Sequence, residues 1–133
     1  MSTYLEKLGI LSQMIFFAKV DKKIKDSEYD FLLGVANQLE IDKETFDSLF
    51  HKKIEKVVLK SEAERILQFH RLVLLMNVDH EQRLEEIEQL HNIGLKFGLP
   101  QAAIEQVLTV MHHYPDKVVP PTVLINIFKA YNN

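Results

Sequence analysis

Four acids stand out by type and spacing. Asp21 precedes Glu28 by seven residues, and Asp79 precedes Glu86 by the same interval. Each Asp sits just past a predicted helix, and each Glu falls in the first turn of the next. Side chains on a helix lean toward its N-terminus, so Glu28 leans back over the connector toward Asp21, and Glu86 toward Asp79. Two carboxylates about 5 Å apart repel by roughly 3 kcal/mol at an effective dielectric of 20. A bound hard cation offsets that cost, and a set of oxygen donors favours Ca²⁺ or Mg²⁺. The spacing is not that of an EF-hand. Counted from Asp21, the glycine and bidentate positions are Asp26 and Leu32; counted from Asp79, they are Leu84 and Leu90. The same acids also have a purely structural reading. A first-turn acid complements the helix dipole and closes a capping box, and an Asp after a helix makes a local turn. Both readings stay open from the residues alone.

The acids recur because the chain repeats itself. A shift of 58 residues lays Thr3-x-x-Glu6 on Ser61-x-x-Glu64, Val20-Asp21 on Val78-Asp79, and Glu28 on Glu86, without a gap from Thr3/Ser61 to Phe50/Leu108. Most other matches are apolar for apolar, such as Ile15/Val73, Leu32/Leu90, Val35/Ile93 and Phe46/Ile104. Those are core positions and carry no chemistry.

The elements that position the acids follow from periodicity and caps. Thr3 with Glu6, and Ser61 with Glu64, are capping boxes. The apolar spacing predicts helices over about 4–19, 26–39 and 43–52, the last opened by Asp42. It predicts the second set over about 62–77, then a helix striped by Leu84, Ile87, Leu90, Gly94 and Phe97, then one started by Pro100. Glu55-Lys56-Val57-Val58 before Ser61 is echoed by Asp116-Lys117-Val118-Val119 before Thr122, at a shift of 61. A last helix is therefore expected over about 122–131. The predicted fold is all-α: seven helices, as two pseudo-two-fold-related three-helix units (about 3–50 and 61–108) plus a C-terminal helix, in a single domain. The valine pairs are expected to be extended, too short to make a sheet.

Composition narrows the function classes. The 133 residues suffice for one core. There is no Cys, which excludes disulfides and thiolate metal sites. Net charge is −3 and pI about 6.1, with no basic patch, so nucleic acid is not an expected partner. The longest apolar runs, Met14–Ala18 and Leu72–Met76, are far too short to span a bilayer, and the N-terminus lacks a signal-peptide pattern. The expectation is a cytoplasmic protein without membrane insertion, with a protein partner, a homodimer among the options.

Other constellations are weaker. Glu88-x-x-His91 has the spacing of a di-iron helix motif, but the first unit has Asp30 and Leu33 there, so His91 reads as a core-edge side chain. His70 aligns with Ser12 between apolar positions and reads as structural. His51 reads as exposed, and His112-His113 suit a helix C-terminus. Lys22, Lys23 and Lys25 make a solvated helix entry, and most of Glu81, Glu85, Glu86 and Glu88 should face water. No phosphate loop, nucleophile elbow or zinc-protease helix is present, and catalysis is not expected.

Ala18-Lys19-Val20-Asp21-Lys22-Lys23-Ile24-x-x-x-Glu28, followed by a helix ending Leu39-Glu40-Ile41, resembles the TerB-like tellurite-resistance domains. That family reads roughly Ala-x-x-Asp-Gly-x-Ile-x-x-x-Glu. Val78-Asp79 with Glu86, then Phe97-Gly98-Leu99, matches more loosely, and the resemblance covers about 8–112. It implies seven helices, an internal duplication, a link to tellurite and stress responses, and a divalent cation held by Asp21, Glu28, Asp79 and Glu86. No J-domain pattern is present, so the co-chaperone role of a related domain is not expected. Lys22 and His80 stand where the family has Gly. Lys22 places a cation beside the first Asp, which makes the second connector the better cation site. The competing expectation is a metal-free protein-interaction module whose acids cap helices.

Overall fold

The computed structural model describes residues 3–19, 23–52, 59–78 and 84–131. Among them are seven α-helices and no strand: α1 (Tyr4–Ala18), α2 (Asp26–Gln38), α3 (Lys43–Ser48), α4 (Glu62–Asn77), α5 (Leu84–Lys96), α6 (Gln101–Val110) and α7 (Pro121–Ala130). Short 3-10 turns at Met111–His113 and Pro115–Lys117 join α6 to α7. The predicted all-α fold holds.

The duplication is visible in the helix starts. Glu62, Leu84 and Gln101 follow Tyr4, Asp26 and Lys43 by 58 residues each. The stops repeat too. Glu40 (φ 60°) and Gly98 (φ 76°) both take the left-handed conformation after α2 and α5. Ile41 N–H bonds to Ala36 O at 2.9 Å and Glu40 N–H to Asn37 O at 3.1 Å; Leu99 to Gly94 and Gly98 to Leu95 repeat the pattern at 3.1 and 2.9 Å. These are two copies of one Schellman cap, which satisfies carbonyls the helix end leaves without partners.

The starts are capped as their residues predict, with one difference. Thr3 accepts from Glu6 N–H at 3.1 Å, and Glu6 accepts from Thr3 N–H at 3.0 Å, a reciprocal box. Ser61 accepts from Glu64 N–H at 3.1 Å, but its hydroxyl donates to the Glu64 carboxylate at 3.2 Å. Asp42 accepts from Thr45 N–H at 2.8 Å.

Buried apolar side chains from all seven helices form one cluster. The equivalent pairs Leu11/Phe69, Met14/Leu72, Ile15/Val73, Leu32/Leu90 and Phe46/Ile104 are all fully buried. The first helices of the two units pack on each other, and Gln68 Nε2 donates to Ile10 O at 3.2 Å. Position 68 is the counterpart of position 10. Equivalent positions meet in this way at the axis of a two-fold contact. Lys60, ahead of α4, helps hold the Glu6 carboxyl below its usual range, after the larger effect of the Thr3 bonds. The starts of α1 and α4 therefore lie together.

Two expected boundaries shift, and one expected core position is exposed. Helix α3 stops at Ser48 rather than about 52, and Ser48 Oγ donates to Thr45 O at 2.6 Å, competing with helix continuation. Helix α7 starts at Pro121 behind Pro120, so its offset from α4 is 59 rather than 61, and Thr122 is not its cap. Proline at the first position needs no N–H partner and is preset for the helix. Leu84, expected on the α5 stripe, is 68% exposed because it sits at the first residue of α5. Val118 is extended, as expected; Val57 and Val58 lie outside the described residues.

Candidate functional site

Glu28 and Glu86 occupy the third helical position of α2 and α5, and each is only 1% exposed. Helical phase explains this. Glu28 lies on the face of Leu32 and Val35, and Glu86 on the face of Leu90 and Ile93, at i, i+4 and i+7. Both side chains are thus on the buried face of their helices. Lys25 N–H donates to Glu28 Oε1 at 2.9 Å. This is the return half of a capping box; a lysine ammonium only donates, so it cannot supply the forward half. Glu28 and Glu86 each have a further interaction within the chain. A buried carboxylate costs several kcal/mol unless it is partnered, and this fold keeps one at the same position twice.

Asp21 and Asp79, the other two predicted ligands, lie outside the described residues, as do Lys22, His80 and Glu81. The structure therefore places half of the predicted donor set. Among the described residues, no three Asp, Glu or His side chains converge to hold an ion.

The helix ends that feed the connectors differ in charge. Lys19 caps α1; its Nζ donates to Phe50 O at 3.2 Å and lies 4.6 Å from the centre of the Phe16 ring. Its counterpart at the end of α4 is Asn77, buried and neutral, with Nδ2 3.5 Å from Met111 Sδ. The second connector thus lacks the ammonium that the first carries on its α1 side, in addition to lacking Lys22.

The histidines divide as the sequence suggests. His70 is buried and its Nε2–H donates to Val119 O at 2.9 Å, fixing the tautomer because a carbonyl only accepts. This bond ties the segment before α7 onto α4. Burial pushes the His70 pKa down, the Val119 bond partly opposes this, and Arg71 pushes it further down. His91 is half-buried, with Nε2 4.0 Å from the Glu105 carboxylate across α6. His51, His112 and His113 are exposed. Glu85 and Glu88 face water as expected, whereas Glu86 does not.

One surface escaped the sequence reading. An apolar recess of about 200 Å³ lies between α4 and α7, walled by Ile66, Leu67, Leu124 and Ile125. Leu67 is off the α4 core stripe, and its 48% exposure is the signal of an uncovered face. No helix among the described residues is long and apolar enough to cross a membrane.

In comparisons with family models, curated proteins and solved structures, the chain matches none.

Proposed function

We propose that this chain is a TerB-like helical domain that holds a divalent cation in its acidic connectors and serves metal sensing or a stress response. The observation that carries this reading is the twin burial of Glu28 and Glu86 at 1% exposure each. A fold that needed only dipole compensation there would be served as well by an exposed acid. Two buried carboxylates, each in the first turn after an Asp-bearing stretch of sequence, are hard oxygen donors of the kind Ca²⁺ and Mg²⁺ take. The fit is chemical: Glu28 and Glu86 supply half the donors, and Asp21 and Asp79 would supply the rest, with backbone carbonyls and water. Glu28 Oε1 already accepts Lys25 N–H at 2.9 Å, and Lys22 follows Asp21 directly in sequence, whereas the second connector has His80 there. The second connector is therefore the stronger cation site.

The test is thermal melting of chelator-treated protein with and without added Ca²⁺, Mg²⁺ or Mn²⁺. A ligand at 100 times its Kd adds about 2.7 kcal/mol, which for a chain of this length raises Tm by about 10 °C. The shift should vanish in Asp79→Ala. No shift with any of the three ions, or the same shift in Asp79→Ala, would leave Glu28 and Glu86 as ties between helix and connector only.

A further inference from the structure

We propose that the α4 face centred on Leu67 is where a second copy of this chain docks, in a two-fold contact. Two recesses flank Leu67. One, of about 200 Å³, lies between α4 and α7, and the other, of about 140 Å³, lies between α1 and α4 against Ile10 and Leu39. Leu67 lines both and is the ridge between them, 48% exposed, with Ile125 beyond it at 42%. Clustered exposed aliphatic side chains mark an interaction surface rather than scattered surface hydrophobes. The shape is a ridge beside two hollows, so one copy's ridge can seat in its partner's hollow while the partner's does the same.

The charges select the occupant. The rim carries Lys7, Arg71 and Lys129 together with Glu62 and Glu64. A two-fold contact brings the same patch onto itself, so residue i meets j and j meets i. A rim of one sign would repel its own copy; a rim of both signs is self-complementary. The same mixture, with a net charge of −3, disfavours an anionic polymer or lipid surface. Glu62 faces the recess from the first turn of α4 and Lys129 from the last turn of α7, so each can meet the other across a dyad. Glu62 also has an interaction within its own chain, so the dimer exchanges that partner and the electrostatic gain is modest. The surface lies on the first half of α4, away from the connector end, and does not depend on whether a cation binds there.

Sedimentation velocity across the micromolar range tests this. The wild-type chain should associate reversibly to a dimer. Leu67→Lys should weaken association about a hundredfold by removing an apolar anchor from both halves, with a Tm equal to wild type when both are diluted to the monomer. Glu62→Lys and Lys129→Glu should each weaken self-association by about tenfold. An equimolar mixture of those two variants should recover wild-type affinity, because each mixed dimer then pairs opposite charges at both contacts. A wild-type chain that stays monomeric throughout, a dimer indifferent to Leu67→Lys, or a mixture no tighter than its components overturns the proposal.

Discussion

Replacing Glu40 with glycine should stabilise this protein, although the wild-type residue is charged and exposed. Glu40 holds φ at 60°, in the left-handed region, at the same cap where the second unit uses Gly98 at φ 76°. A residue with a Cβ loses about 1–2 kcal/mol there, because the Cβ crowds the following carbonyl. Glycine recovers that strain but returns about 0.4–1 kcal/mol through the greater freedom of the unfolded chain. Removing a carboxylate from the negative end of α2 adds about 0.3 kcal/mol or more. The net gain for Glu40→Gly is about 1 kcal/mol, or about 3–4 °C in Tm for this chain length. Urea unfolding should show a higher midpoint at an unchanged slope. The mirror change, Gly98→Ala, meets no atom within 4 Å and so reports conformation alone; it should cost about 1 kcal/mol. A neutral or destabilising Glu40→Gly, with a harmless Gly98→Ala, would refute the equivalence of the two caps.

Gly34 sits inside α2, where an added Cβ meets nothing within 4 Å, so Gly34→Ala should raise stability by about 0.8–1 kcal/mol in the same urea assay. Glu28→Ala strips the acceptor from Lys25 N–H in a buried setting and should cost about 1–3 kcal/mol, even when measured in chelator. His70 carries a pH signature. Burial holds its folded pKa below the unfolded value of about 6.5, so its neutral form stabilises the fold above that value. That contribution is lost as pH falls through 6.5 toward the folded pKa. Between about pH 7.5 and 5.5 the wild type should lose more stability than His70→Gln, and parallel pH profiles would contradict this role.

The duplication explains why so much of the fold was legible. Helices α1 to α6 form three pairs, and their six starts obey the same shift. Comparison of copies also separated Leu33 from His91, and His91 is indeed a half-buried neighbour of α6. Helix α7 has no partner at that shift. The echo before α7 aligned Thr122 with Ser61, whereas Pro120 and Pro121 set the helix start. The recurrence of Glu28 and Glu86 was legible, but their burial was not drawn from it. Their spacing to Leu32 and Leu90 placed them on the core face all along, a phase that their charge obscured. The Leu67 surface depends on how α7 crosses α4, and that crossing is set by the His70–Val119 bond and the Phe69–Phe128 edge contact, which no local pattern announces.

The most direct measurement is calorimetric titration of Mn²⁺, and then Ca²⁺ and Mg²⁺, into the chelator-treated 133-residue chain. The cation reading predicts saturable binding that Asp79→Asn abolishes and Asp21→Asn weakens less, because Lys22 follows Asp21 directly in sequence. Heat no different from buffer, or binding untouched by both substitutions, would contradict it.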